Sequence, residues 1–311
     1  MMGGIGRCAI WHDGALGDLL ISYPSMSLIS SLMEESILLA RGEAGRFVGG
    51  LLGIGRFVPS DSSAAAGVYG GELPQFLRGL DALFLFSRRP DSDHVACLRT
   101  LFSRKLKVIS TSQPKGERWC PSLYEYQFLQ VGKLLGVDTG GIANHIHRPI
   151  GKGERGLGQY YVVHPGSGGR SKCWPPERFS TTVERLREIF PDTRPKVVLG
   201  PCEEERLQDF MPLISLEGVE VVRGSNLHGL YELLKGARFY IGNDSGVSHL
   251  AAFVGIESFL LFGPTDPRVW APPFPWVHVI APKRMGAIEE IKEEVVVEEI
   301  LKTISSGVAS P

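Results

Sequence analysis

Along the chain, short apolar runs alternate with segments whose apolar residues recur at helical spacing. The rhythm is regular in the second half. Residues 160–166 (YYVVHPG), 196–201, 219–224, 238–244 and 257–264 read as strands. Between them 175–190, 203–214, 226–237 and 246–255 read as helices. The first of these opens on Pro175 and Pro176, and Asn226 stands where it would cap the third. Strands alternating with helices of this length predict βαβ crossovers and a parallel sheet.

The first half follows the same rule less evenly. Strands are expected at 7–13, 36–41, 80–87 and 105–111. Helices are expected from Asp18 or Leu19 to Met33 and over 121–136. Residues 49–71, rich in Gly, Ser and Ala, read as a loop with short structured pieces. Residues 136–158 are glycine-rich and weakly periodic, so they read as a linker. The expected fold class is α/β, with two parallel αβα domains, 1–150 and 151–311, facing across a cleft. In open parallel sheets ligands bind at the carboxyl ends of strands, so the chemistry is expected there.

Composition narrows the function classes. The 311 residues suffice for two cores, and a net charge of −1 leaves no global footprint for nucleic acid. The basic stretches Arg88-Arg89 and Arg104-Lys105-Leu106-Lys107 read as solvated faces or as contacts to phosphate or an anionic membrane. The five cysteines are scattered without CxxC spacing, which argues against a disulfide framework or zinc cluster and for a reducing cytoplasm. No apolar run reaches the roughly 20 residues that span a bilayer. Residues 19–33 come nearest and are broken by Tyr23, Pro24 and five serines. No signal peptide is legible at the N-terminus. A soluble protein, peripheral to a membrane at most, is expected.

Unusual residues cluster after four strands. After the first comes HDGALGD (12–18). Gly14 and Gly17 read as a tight turn with positive φ. Asp18 reads either as a helix cap or as a general base, with Asp13 a rival that the spacing does not separate. After 160–166 comes GSGGRSKCW (166–174), whose glycines, Ser167, Arg170 and Lys172 suit an anion. Trp174 reads as a packing residue. GPCEEER (200–206) brings three glutamates, two of which the helix dipole explains; one is free to accept from ribose or sugar hydroxyls. NDSGVSHLAA (243–252) places Asp244, Ser245 and Gly246 at a helix start and His249 one turn in. Asp244 or Ser245 reads as a plain cap or as part of an anion site, and His249 as a core histidine or a ligand. Thr265 and Asp266 close the next strand, either lining a nucleotide pocket or ending the strand. Neither a Walker A loop nor GxGxxG followed by an acid is present, which excludes P-loop NTPases and NAD-dependent dehydrogenases.

Taken together and in this order, GALGDLLISYP, HPGSGGRSKCWPPERF, GPCEEER, GNDSGVSHLAAFVG and LFGPTDPRVWAP resemble glycosyltransferase family 9, the ADP-heptose:lipopolysaccharide heptosyltransferases. The resemblance implies a GT-B fold, two Rossmann-like domains, with the acceptor on the N-terminal one and the nucleotide sugar on the C-terminal one. It implies inverting transfer without a metal, from an ADP-sugar donor to a glycan or glycolipid acceptor. Asp18 matches the family's base, and Ser167 and Lys172 match positions on the donor diphosphate, with Lys172 neutralising its charge. Glu204 matches an acid on the adenosine ribose. Asp244, Ser245 and Gly246 match the sugar-and-diphosphate loop, and His249 its helix. The rival expectations are a UDP-sugar transferase or epimerase, and a binding protein without turnover.

Overall fold

The computed structural model describes residues 6–113, 122–139 and 158–306. The chain divides into two compact units, Met1–Ile146 and His147–Pro311. Most of the expected linker, residues 140–157, lies outside the described residues, as does Cys120.

The first unit is built on a five-stranded parallel sheet. Its strands are β1 (Arg7–His12), β2 (Glu35–Ala40), β3 (Arg56–Pro59), β4 (Ala82–Ser87) and β5 (Leu106–Ser110), in the order β3-β2-β1-β4-β5. The longer helices are α1 (Leu16–Leu32), α2 (Gly42–Leu51), α3 (Asp93–Phe102) and α4 (Leu123–Leu135). Strand residues alternate between two faces. Ala9, Trp11, Ile37, Leu39, Leu83 and Leu85 pack with Val95, Leu98 and Phe102 of α3. His12 has the opposite parity and belongs to the face on which α1 lies, as its bond to Ser22 shows. α1 in turn packs on α4.

Residues 49–71 hold the short structured pieces expected of them, and the expected loop is corrected only at its start, which is helical. α2 runs to Leu51, and β3 pairs in parallel with β2, Ile37 opposite Arg56 and Ala40 opposite Pro59. Both were hidden by glycine and proline, which lower propensity for helix and strand. β3 tolerates Pro59 because it is a short edge strand. The turn after β1 is corrected too. Neither Gly14 nor Gly17 has a positive φ. Gly17 is the second residue of α1, and Gly14 is needed for space, as described below.

The second unit holds a six-stranded parallel sheet: β6 (Tyr160–His164), β7 (Arg194–Leu199), β8 (Glu220–Arg223), β9 (Phe239–Asn243), β10 (Glu257–Leu261) and β11 (Val277–Ile280). The order is β11-β10-β9-β6-β7-β8. Its longer helices are α5 (Pro176–Ile189), α6 (Leu227–Lys235), α7 (Gly246–Val254) and α8 (Glu293–Ser306). On one face Tyr161, Val163, Val197, Leu199, Phe239 and Ile241 pack with Phe179, Val183 and Leu186 of α5 and Val296 and Ile300 of α8. Asn226 caps α6 through the Gly229 amide at 2.8 Å. The single helix expected over 203–214 is broken into short turns, Pro201–Glu204, Leu207–Phe210 and Met211–Ile214. Pro212 lacks the amide that would continue the preceding turn.

Each sheet reverses its strand order once. From β1 the chain builds outward through β2 and β3, then returns to the other side of β1 with β4. From β6 it builds through β7 and β8, then returns with β9. These two switch points, β1/β4 and β6/β9, are where doubly wound sheets hold ligands.

Candidate active site

The first switch point opens into a cavity of about 300 Å³. His12, Asp13, Gly14, Ala15 and Asp18 line it after β1, with Phe86, Ser87 and Arg88 from β4, and His94 and Thr111 beyond. Asp18 is the third residue of α1, where it serves as a cap, and its side chain belongs to the cavity lining. Its Oδ2 accepts from the Ala15 amide at 3.2 Å, the reach of a capping carboxylate. Its Oδ1 accepts from Arg88 Nη2 at 2.5 Å. Asp13 lines the same cavity, and its Oδ2 accepts from the Trp11 indole at 2.9 Å. Arg88 was legible only as half of a basic pair; its place at the end of β4, beside an acid at the end of β1, is a product of topology.

The second switch point gathers residues from three loops. Ser245, not Asp244, caps α7, its hydroxyl accepting from the Ser248 amide at 3.3 Å. That leaves the Asp244 side chain outside the helix. Lys172 Nζ donates to Asp244 Oδ2 at 2.7 Å, and Thr265 Oγ1 donates to the same oxygen at 2.7 Å. Ser167 Oγ donates to the Asp244 carbonyl at 2.7 Å. His249 is buried, its Nε2 standing 3.9 Å from Asp244 Oδ1. The structure therefore brings Ser167, Lys172, Asp244, Ser245 and His249 together at the N-terminus of α7, beside Gly246. Lys172 Nζ also lies 6.0 Å from the centre of the Trp270 ring.

Behind this cluster a buried polar frame holds the loops in register. Asn243 Nδ2 donates to the Pro165 carbonyl at 2.7 Å, and its Oδ1 accepts from the Trp174 amide at 3.0 Å. Trp174 is fully buried, and its indole donates to the Ile291 carbonyl at 2.9 Å, as a packing residue. His164 lies 3.6 Å from Glu203 Oε2 and 3.4 Å from Ser245 Oγ. Burial pushes the Glu203 carboxyl up, but His164 and the Gly200 amide more than offset it, and the net shift is below the ordinary carboxylate value.

The glutamates divide as their positions demand. Glu203 is buried and caps its own turn through the Gly200 amide at 2.9 Å. Glu204, the expected ribose contact, is exposed on the same turn. The sequence named Thr265 without assigning it and passed over Glu203, His164 and Asn243. Their signal was burial: His164 and Asn243 are polar residues that end apolar strands, Glu203 is an acid one turn beyond another, and buried polar groups require partners.

Comparison with known proteins agrees with this architecture. The profile of Glycosyltransferase family 9 (heptosyltransferase) matches residues 94–299. Lipopolysaccharide heptosyltransferase 1 of Escherichia coli K12 is 32% identical over 111 residues, 35% of this chain and 34% of that protein. Lipopolysaccharide heptosyltransferase 3 of Escherichia coli is 32% identical over 124 residues, 38% of this chain and 35% of that one. The chain thus matches about a third of the length of these curated relatives. Among solved structures, the E. coli heptosyltransferase WaaC with ADP superposes with a TM-score of 0.69 at 18% identity, covering 96% of this chain and 99% of that one. The E. coli ADP-heptose lps heptosyltransferase II superposes with a TM-score of 0.73 at 15% identity, covering 98% and 100%. At these identities the likeness shows the fold, which is GT-B. The family profile covers most of the chain, and the protein belongs to glycosyltransferase family 9.

Proposed function

We propose that this glycosyltransferase moves a heptose from ADP-heptose to a hydroxyl of a lipopolysaccharide-core-type glycan, with inversion at the anomeric carbon and with no metal. The N-terminal unit takes the acceptor and the C-terminal unit the donor. The observation that carries the reading is the cluster of Lys172, Ser167, Asp244 and Thr265 at the β6/β9 switch point, against the first turn of α7. A helix N-terminus presents free amides and the positive end of its dipole to an anion. The relatives' names support the donor: two of the similar solved structures are heptosyltransferases holding ADP and ADP-2-deoxy-2-fluoro heptose.

In this reading the diphosphate lies on Ser167, Lys172 and the amides at Ser245 and Gly246. Asp244 and His249 face the donor sugar, and Glu204 takes the ribose. The acceptor oxygen attacks the anomeric carbon while the bond to the diphosphate breaks. Asp18 takes the acceptor proton, and the electron pair leaves with ADP. Lys172 neutralises the charge that develops on the leaving diphosphate. The Lys172 ammonium stands 2.7 Å from Asp244 Oδ2, so the buried carboxylate has a cationic partner. Arg88 and the Ala15 amide hold the Asp18 carboxylate at the cavity wall.

The test is turnover with ADP-heptose and a lipopolysaccharide core truncated before its first heptose. Asp18→Asn is expected to lose at least a thousandfold in kcat while binding ADP as well as the unaltered protein. Near-normal turnover in Asp18→Asn, with loss in Asp13→Asn, would move the base to Asp13.

A further inference from the structure

His12 ends β1 and is 2% exposed. Both of its ring nitrogens are engaged. The Gly14 amide donates to Nδ1 at 3.0 Å. An N–H pointing at Nδ1 makes that nitrogen the acceptor, so the ring proton sits on Nε2. Nε2 then donates to Ser22 Oγ at 2.9 Å, and the Ser22 hydroxyl passes its proton's bond on to Gln127 Oε1 at 2.6 Å. Ser22 and Gln127 are both buried, one on α1 and one on α4. Every donor in this chain has an acceptor, in one direction only.

This relay of hydrogen bonds bears on the Asp18 segment at two points. Ser22 stands four residues after Asp18, one turn along the same face of α1. Gly14 lies between the imidazole and Asp18: a Cβ there would stand 2.5 Å from His12 Cε1 and 2.5 Å from Asp18 Cβ. The ring also stacks on Phe86 of β4, centroids 5.3 Å apart.

We propose that His12 is a positioning residue, whose neutral imidazole clamps the Gly14 turn with one nitrogen and the start of α1 with the other, and so sets where the Asp18 carboxylate stands. The inference rests on the reading of Asp18 as the base. A protonated ring would turn an N–H toward the Gly14 N–H and open the clamp. Among the described residues, the charged groups acting on the ring are Asp18 and Asp13 from the β1–α1 turn and helix, and Arg88 just after β4; from α4 the neutral Gln127 meets Ser22. Burial pushes the imidazole down to about 4, against the pull of the two carboxylates and with the help of Arg88. The clamp is therefore closed throughout the neutral range.

Two measurements test this. In protein labelled with 15N-histidine, the His12 ring, assigned by its absence from His12→Asn, is expected as the neutral Nε2–H tautomer from pH 8 to pH 5.5. An Nδ1–H tautomer, or titration near 6.5, would overturn the proposal. The second is turnover of two variants with ADP-heptose and the heptose-free core. His12→Phe keeps the ring stack and loses both hydrogen bonds; His12→Asn offers Oδ1 to the Gly14 amide. His12→Phe is expected to lower kcat at least tenfold with ADP affinity unchanged, and His12→Asn to recover part of the loss. A Phe variant with unaltered kcat, or an Asn variant no better than Phe, would also overturn it. Asp18→Asn in the same assay keeps the two ideas apart: if it turns over normally the base reading fails, while the tautomer still reports on the clamp.

Discussion

At the scale of single residues, the stretch Asn243-Asp244-Ser245-Gly246 shows how one turn divides its labour. Ser245 satisfies the helix, Asn243 ties the neighbouring loop, and Asp244 is left for Lys172 and Thr265. Sequence alone located the group and could not divide it, because Asp and Ser both cap helices well. The same limit applied to Glu203 and Glu204, adjacent acids of which one is buried beside His164 and the other exposed. Gly166 explains the burial. A Cβ at that position would stand 1.8 Å from Glu203 Oε1, so the carboxylate occupies space that only glycine leaves open. Gly166→Ala is expected to cost about 2–4 kcal/mol, from overpacking and the displaced cap. Urea denaturation of Gly166→Ala, Glu203→Ala and the double variant checks this. The double variant should cost clearly less than the sum of the two, because removing the carboxylate removes the clash; strict additivity would deny the contact.

At the scale of elements, the regular strands and helices of the second unit were legible because their apolar periods are long and uninterrupted. α2 was not, with glycines at 42, 45, 49 and 50 in ten residues. The glycines do different things. A Cβ on Gly45 would lie 2.6 Å from Ala40 Cβ and 2.9 Å from Phe57 Cε2, so this glycine lets α2 close onto β2 and β3. Gly50 meets nothing within 4 Å. Gly50→Ala is therefore expected to stabilise the unit by about 0.5–1 kcal/mol, through helix propensity alone. Gly45→Ala is expected to destabilise it by about 1–3 kcal/mol. Thermal unfolding of the two variants distinguishes them, and the same sign for both would contradict this account of the packing.

At the scale of the whole molecule, alternation of strands and helices gave the parallel sheets, but it did not give their strand order. That order places Arg88 beside Asp18 and Lys172 beside Asp244, 70 and 72 residues apart in the chain. The buried titratable groups also set how stability varies with acidity. His12 titrates lower in the folded chain than the ordinary 6.5, so the unfolded chain binds the extra proton between about pH 6.5 and 4. Stability is full above that window and falls as pH drops through it. Glu203, lowered from 4.5, adds a further loss below that value. Between pH 7 and pH 5 the His12 contribution alone amounts to about 2 kcal/mol, a fall of several degrees in Tm. His12→Phe, which cannot titrate, should flatten this part of the profile; a slope unchanged by the substitution would place its origin elsewhere.

The proposed donor site, the cluster at the start of α7, is open to direct measurement as a site for the diphosphate of an ADP-linked sugar. The measurement is calorimetric titration of the protein and of Lys172→Ala with ADP, UDP and NAD. ADP is expected to bind more tightly than UDP or NAD, and Lys172→Ala to weaken ADP about tenfold or more. Tighter binding of UDP or NAD, or an ADP affinity untouched by the loss of Lys172, would contradict this reading of the site.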